Sequence, residues 1–206
     1  MTFPAADINL EKWLRSRRSV RRFVGRKVPH KLVVRLLETA TYAPNAHNRQ
    51  PWRFAVLETQ EAKKRLAHAM AEEFRAALKN EGLSEGEIGS QSFRSSRRII
   101  EAPLGIVLCM DLSVMDEYSD PNRQAGEHVM AAQSVALAGG QLLLAAHALG
   151  LGGVWICAPL FVPGVVRMSL ALPSTWQAQG MLLLGYPAKM PEQRERVPLD
   201  QVTQFL

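Results

Sequence analysis

Cysteine is scarce in this chain of 206 residues, and its two cysteines, Cys109 and Cys157, both lie in apolar runs. Two cysteines in such surroundings do not make the framework of a disulfide-rich protein, and they favour a reducing, cytoplasmic location. The histidines lack the spacing of metal ligands, so no metal site is predicted. The sequence therefore predicts a fold that depends on its apolar core rather than on covalent or metal cross-links.

Long uninterrupted apolar runs are also missing. The first residues, MTFPAADINLEKW, contain no basic region followed by an apolar stretch, so no signal peptide is predicted. The longest apolar candidate is interrupted by Gln141 and His147, which argues against a membrane span. The hydrophobic fraction of 47% and the charged fraction of 21% are those of an ordinary globular protein.

Acidic residues are outnumbered by basic ones, which gives the chain a formal net charge of +6. An excess of this sign favours an anionic partner, such as a phosphate, a nucleic acid or a membrane surface. The arginines cluster in three places, which are Arg15 to Arg22, Arg94 to Arg98, and Arg194 with Arg196. Any one of these arginines taken alone could equally be a solvated surface residue.

The pattern of apolar residues predicts helices interleaved with strands. Helices are predicted after an N-cap at Asp7, after Val28-Pro29, and over residues 60–81, 124–149 and 163–172. Strands are predicted over residues 52–58, 106–110, 152–157 and 181–186, with an ordered loop over 43–51 and a mobile surface segment over 82–96. Because few strands are joined by obvious crossover helices, we expect one α+β domain over residues 1–206, with helices covering one sheet.

A basic segment, RRSVRRF from Arg17 to Phe23, follows the first predicted helix. Guanidinium groups and a hydroxyl this close together can bind a phosphate through charge-assisted hydrogen bonds. The segment could equally be a nucleic-acid patch or a kinase substrate site. A second basic pair, Arg194 and Arg196, would point the same way on an extended chain, although a charged, solvated tail would have the same pattern.

Two further segments could contact a ligand. In PNAHNRQPW, from Pro44 to Trp52, amide side chains between prolines can read the polar edge of a planar heterocycle. A turn with asparagine at tolerated backbone angles is the alternative. In GGVWICAP, from Gly152 to Pro159, glycines and a proline shape a strand end that could pass close to a ligand face, or simply a buried strand followed by a turn.

These four segments, in this order, resemble the nitroreductase family over nearly the whole chain. The N-x-Q-P-W element that follows R-R-S-V-R is the most specific part of the match. Within the family, RRSVRRF, APNAHNRQPWRF and WICAPLF are most similar to the flavin domains fused to deazaflavin-coenzyme glutamate ligases, without any likeness to the ligase portion or its activity. The resemblance implies an α+β fold, with a central, mostly antiparallel sheet flanked by helices, in an intertwined homodimer that binds FMN.

The resemblance also implies a role for each matching residue. The residues expected to hold the phosphate and ribityl chain of FMN are Arg17, Ser19, Arg194 and Arg196, and Arg18 is also expected to bind the cofactor. Those expected at the pyrimidine edge are Arg21 and Arg98, and those expected to offer backbone groups to the redox-active nitrogen are Ile156, Cys157 and Ala158. The family often has Glu-Gly in place of Cys157-Ala158. The residues expected from the partner subunit are Pro44, Asn45, Ala46 and Asn48, with His47 at the substrate.

The implied reaction is a ping-pong hydride transfer through one pocket, from a reduced nicotinamide or deazaflavin donor to a small organic acceptor. The flavin carries the chemistry while the protein binds and polarises it, so no acid or base side chain is assigned. The apolar helix over 124–149 needs partners on all sides, and the apolar residues 202–206 would lie on the other subunit. Both features agree with a homodimer.

Other functions stay open on the sequence alone. The protein could bind flavin or deazaflavin without turnover, or use flavin with oxygen as the flavin-destroying members of this fold do. It could also be a nucleic-acid-binding module built on the N-terminal arginines, but these lack interleaved aromatic residues and a recognition motif. We therefore expect small-molecule partners, with neither nucleic acid nor a membrane involved.

Overall fold

A four-stranded antiparallel sheet lies at the centre of the computed structural model, which describes residues 9–206. The strands are β1 (Trp52–Leu57), β2 (Leu104–Asp111), β3 (Gly152–Ile156) and β4 (Trp176–Gly185). They lie in the order β1-β2-β4-β3, and each neighbouring pair is antiparallel. β1 and β3 are therefore the two opposite edges. The predicted antiparallel sheet is confirmed.

Helices cover both faces of this sheet. Those in the described residues are α1 (Leu10–Ser16), α2 (His30–Ala40), α3 (Gln60–Asn80), α4 (Glu85–Glu101), α5 (Pro121–Ala148), α6 (Ala158–Phe161) and α7 (Pro163–Ser169). Helices α2 and α5 pack on one face, and helices α3, α4 and α7 pack on the other. The predicted α+β architecture, with helices flanking one sheet, is confirmed.

Strand β2 is buried along its whole length, which explains its uninterrupted apolar sequence. Its side chains alternate between the two faces: Ile106 and Leu108 join the core under α2 and α5, whereas Val107 and Cys109 join the core under α3 and α7. Burial raises the pKa of the Cys109 thiol to about 12. Cys109 is therefore an unreactive core thiol.

Helix α5 has one buried face and one open face. It begins at an Asp120 N-cap followed by Pro121, and its inner residues pack on the sheet. By length and composition it could cross a membrane, which the sequence did not predict, and 39% of its most apolar stretch is buried. Val129 and Leu137 on the other side are 53% and 49% exposed. One chain alone therefore leaves this helix without the partners on all sides that its composition predicts.

One sequence prediction was wrong at the level of secondary structure. The segment 82–96 is not a mobile loop, because most of it forms α4, whose Ser84 and Glu87 make a reciprocal capping box and whose Ile88 and Ile99 are buried. Its Gly and Ser content lowers helix propensity, but packing outweighs propensity. Helix α1 is capped by Asn9, whose side chain accepts from Lys12 N. The predicted cap, Asp7, lies outside the described residues.

Candidate active site

The basic segment Arg17 to Arg22 runs along the β3 edge of the sheet, starting directly after α1. Ser19 forms a parallel bridge with Gly153, and Val20 N donates to Gly153 O at 3.0 Å. A Cβ at the neighbouring Gly152 would approach the Val20 side chain to 2.7 Å, so glycine is needed for this close packing. On its other side, Ala188 N donates to Arg22 O at 3.0 Å. The segment is thus fixed between β3 and the chain that follows β4.

A cavity of about 440 Å³ brings together two of the basic segments that the sequence singled out. Its lining includes Ser19, Arg21, Arg22, Lys189 and Arg194. The lining also contains Glu192, but the guanidinium and ammonium groups outnumber its carboxylate, and together with the hydroxyl they have the chemistry that binds a phosphate. Arg196 is exposed two residues further along and is not among the lining residues. The sequence analysis missed Lys189, and it included Arg22 in the basic segment without giving it a role in binding.

A second cavity, of about 190 Å³, is lined in part by Arg17, Arg18 and His147. His147 Nε2 lies 2.8 Å from Ser16 Oγ, and its ring packs 5.0 Å from the ring of Trp13. Burial, and next the charge of Arg17, lower the pKa of His147. His147 therefore ties the end of α5 to the end of α1, just where the basic segment begins, as a neutral imidazole near neutral pH.

The loop before β1 has an unusual backbone. His47, Asn48 and Gln50 have φ values of 48°, 53° and 50°, which is the left-handed region that few non-glycine residues occupy. Asn45 Oδ1 accepts from Gln50 N at 2.8 Å, and Ala46 N donates to Ser134 Oγ of α5 at 3.3 Å. The side chains of His47 and Asn48 are exposed. The loop is therefore ordered and presents these two residues outward.

Two ion pairs join the loop and the start of β1 to acidic residues at and after the end of β2. Arg49 pairs with Asp116, and Arg53 Nη2 lies 3.1 Å from Asp111 Oδ2. Asp111 is buried, which raises its pKa, but hydrogen bonds from Ser113 and the charge of Arg53 outweigh burial and lower the pKa overall. A charged Asp111 is thus fixed at the end of β2. Sequence analysis missed this pair, since nothing in the sequence connects residues this far apart.

The strand-end segment lies at the opposite end of β3 from Gly152. Ile156 is the last residue of β3, Cys157 is exposed, and Ala158 begins α6. The preceding Trp155 packs toward α5, because a Cβ at Gly139 or Gly180 would collide with its indole. These two glycines therefore make room for the indole that fixes the end of β3.

The predicted site residues do not all meet within one chain. The Pro44–Trp52 loop leads into β1, while the Arg17–Arg22 segment lies beside β3 at the other edge. At about 4.8 Å per strand, these edges are about 14 Å apart. Arg98 is exposed on α4 and is not among the residues lining the cavities around Arg17 and Arg21. Among the described residues, no group of three or more His, Cys, Asp or Glu could hold a metal.

Comparison with known proteins gives consistent matches over nearly the full chain. Residues 14–186 match the model described as Nitroreductase family. The Bacillus subtilis (strain 168) protein YfhC, named for a proposed NAD(P)H nitroreductase activity, is 31% identical over 193 residues, which cover 93% of this chain and 92% of YfhC. A nitroreductase-like family protein from Bacillus cereus superposes with a TM-score of 0.75 at 25% identity, covering 100% of this chain and 98% of its own.

A third protein, a proposed nitroreductase from Desulfovibrio desulfuricans solved in complex with FMN, superposes with a TM-score of 0.73 at 24% identity. This superposition covers 98% of both chains. At that level of identity the likeness concerns the fold. The cofactor belongs to that protein's structure.

Proposed function

Because this chain belongs to the nitroreductase family, we propose that it is an FMN-dependent oxidoreductase and that it works as a homodimer. The family predicted from the sequence motifs is confirmed by the match over residues 14–186. The observation that carries the proposal is the cavity where Ser19, Arg21 and Arg194 converge beside β3. The whole chain would form one flavin-binding domain.

The residues around this cavity fit the phosphate of FMN. Ser19 and Arg194, which line this cavity, offer donors that suit a dianion, while Arg17 and Arg18 line the second cavity and Arg196 is exposed beyond Arg194. Tight packing of Val20 on Gly152 keeps the Arg17–Arg22 backbone in place, so these donors need little rearrangement to bind. We assign phosphate and ribityl binding to these five residues.

The ring of the flavin would lie along β3 toward its end. Backbone groups of Ile156, Cys157 and Ala158 would face the redox-active nitrogen, and Arg21 would lie at the pyrimidine edge. Bound FMN would supply the hydride chemistry, and the chain's residues would hold and polarise it. Arg21 would stabilise negative charge at the pyrimidine edge electrostatically. Helix α4, which carries Arg98, packs on α3 on the far face of the sheet. Arg98 would therefore contact the pyrimidine edge only if it came from the partner subunit.

The partner subunit would complete the site. Within one chain, the Pro44–Trp52 loop and the basic segment lie at opposite sheet edges, which supports a second copy as the source of the loop that contacts the flavin. Pro44, Asn45, Ala46 and Asn48 would reach the cofactor, and His47 would face the substrate. The open face of α5, with Val129 and Leu137 exposed, supports the same arrangement.

The reaction would be a ping-pong hydride transfer. A reduced nicotinamide or deazaflavin would bind the pocket, reduce the cofactor and leave, and a small organic acceptor would then occupy the same face. The chain's own residues would bind and orient both molecules, and no acid or base side chain is required. We place the enzyme in the cytoplasm, which the two free cysteines favour.

Within the family, we propose that the chain lies nearest to the flavin domains fused to deazaflavin-coenzyme glutamate ligases. The support is the likeness of RRSVRRF, APNAHNRQPWRF and WICAPLF to that subgroup. Cys157-Ala158, at the place where the family often has Glu-Gly, is part of the same match. A reduced deazaflavin is therefore one of the donors to test.

Two measurements test the proposal. The purified protein should be yellow and should release about one FMN per subunit when denatured. Stopped-flow mixing of the holoenzyme with NADH, NADPH or a reduced deazaflavin in parallel should then bleach the flavin far faster with one donor. A protein without flavin that takes up no FMN would contradict the cofactor assignment. Bound FMN that no donor reduces would leave a flavin-binding protein without turnover.

A further inference from the structure

We propose that Arg53, held by the buried Asp111, is a positioning residue that keeps the loop His47 to Gln50 in the shape that meets the cofactor of the partner subunit. The inference rests on the proposed function, because it assigns a means of fixing a loop that the dimeric flavin site requires. Arg53 would not touch the flavin itself. Arg53 would lie at the sheet edge of one subunit and would influence the flavin site of the other subunit.

The strained backbone of the loop is the first observation. Three of the four residues from His47 to Gln50 have positive φ, and a backbone of this kind persists only where surrounding contacts hold it. Histidine and asparagine enter the left-handed region more readily than other non-glycine residues do, but glutamine has no such tendency. Gln50, at φ 50°, is therefore the position that most needs to be held in place.

Side chains hold both backbone groups of Gln50, which is the second observation. Its N–H donates to Asn45 Oδ1 at 2.8 Å, and its carbonyl accepts from Arg53 Nη1 at 3.0 Å. Arg53 Nη1 also donates to Trp52 O at 2.8 Å. These hydrogen bonds fix the peptide groups on both sides of Gln50, and so they select its φ directly.

The third observation is that Arg53 is itself fixed from the core. Its Nη2 lies 3.1 Å from Asp111 Oδ2, and the other carboxylate oxygen of Asp111 accepts from the Ser113 hydroxyl at 2.6 Å and from Ser113 N at 3.1 Å. The Asp111 side chain is 8% exposed. The loop conformation is thus linked to the rigid end of β2, where Asp111 N donates to Pro51 O at 2.8 Å.

A suppressor experiment separates positioning from a general structural role. In Arg53→Ala, Gln50 loses one of its two bonds, and we expect the dissociation constant for FMN to rise about tenfold, which is about 1.4 kcal/mol. In Arg53→Ala/Gln50→Gly, glycine adopts positive φ without the anchor, and FMN affinity should return most of the way to that of the wild type. The matched control is Arg97→Ala, which breaks the exposed pair with Glu101 on α4 and should leave FMN affinity unchanged.

Mixed dimers test whether the loop acts across the interface. Chains carrying Arg53→Ala and chains carrying Arg17→Ala, with different tags, are co-expressed, and the dimer with both tags is purified. If the loop serves the partner's flavin, one site of this dimer combines both defects and the other has neither. FMN titration should therefore show one site of wild-type affinity. If Arg53 acts within its own chain, both sites are defective and no tight site appears.

Each failure has its own signature. A wild-type protein that does not bind FMN removes the proposed function. A wild-type protein that binds FMN, with Arg53→Ala binding it equally well or with Gln50→Gly giving no recovery, removes only the inference. If Arg53→Ala does not fold, Asp111→Asn and Asp111→Asn/Gln50→Gly repeat the test on the carboxylate that holds Arg53, and absence of recovery there again contradicts the proposal.

Discussion

At the residue scale, the phosphate site gives the most direct prediction. Under the proposed phosphate-binding roles, replacing Arg17 or Arg196 with alanine would remove a charge-assisted contact worth about 1.5–3 kcal/mol, so FMN affinity should fall about tenfold to a hundredfold. Isothermal titration of apoprotein with FMN measures the loss. Riboflavin, which has no phosphate, is the control ligand and should bind the wild type and both variants about equally. Unchanged FMN affinity in both variants would show that these arginines are solvated surface residues with no role in binding the phosphate.

Asp111 makes a prediction about pH. Its pKa is lowered in the folded protein, so its contribution to stability is present above the ordinary aspartate pKa of about 4 and is lost as the pH falls through the folded pKa. Asp111→Asn should therefore lower the free energy of unfolding by about 1–3 kcal/mol at pH 7 and by much less at pH 3. Urea titrations of both proteins at the two pH values measure this difference. An equal difference at both would show that the charge of Asp111 is not what stabilises the fold.

The short sequence motifs could be recognised at this scale, but the side chains that hold them in place could not. Short patterns such as RRSVRRF and N-x-Q-P-W carry their chemistry in neighbouring residues, so they are visible in one sequence. Arg53 and Asp111 meet because β1 and β2 pair in a register that places Arg53 opposite Cys109. A register of this kind depends on tertiary packing, and sequence pattern alone does not specify it.

At the scale of elements, strands with clear period or continuous apolar sequence were predicted, whereas α4 was not. Its glycines and serines suggested a loop, yet Ser84 and Glu87 form a capping box at its start and Lys63 of α3 donates to the carbonyl of Ala102 at its end at 2.6 Å. Burial lowers the pKa of Lys63, so this contact lies within the core. A helix of weak propensity is thus stabilised by its two ends and by packing on α3.

The capping box of α4 can be tested by mutation. Ser84→Ala removes the acceptor for Glu87 N and the partner of the Glu87 carboxylate, and should lower the free energy of unfolding by about 0.5–2 kcal/mol. Ser90→Ala, in the same helix, is the matched control: it loses only an exposed hydrogen bond from Arg94 and should be close to neutral, because alanine is the better helix former. Urea unfolding measured by circular dichroism compares the two. Equal effects would mean that the capping box contributes nothing.

At the scale of the whole molecule, a single chain leaves apolar surface exposed to solvent. Besides the outer face of α5, the C-terminal residues are unpacked: Val202 is 65% exposed and Phe205 is 91% exposed. Apolar side chains with no surface to cover them support the proposed interface between two copies of the chain. The sequence predicted this from the composition of residues 202–206 and of the central helix, but the position of the loop and the basic segment at opposite sheet edges required the fold.

Cofactor and dimer should therefore be thermodynamically linked. If FMN binds only where two subunits meet, it favours the dimer by mass action, so dilution should release flavin and removal of flavin should loosen the dimer. Deleting residues 202–206 should weaken both, because the apolar surface that these residues cover on the partner would then face water, at about 25 cal/mol per Å². Analytical ultracentrifugation of full-length and truncated protein, each with and without FMN, measures the four dimer constants. A monomer that retains FMN at nanomolar concentration would show that the site is built within one chain, and the loop from Pro44 to Trp52 would then have no part in binding the partner's cofactor.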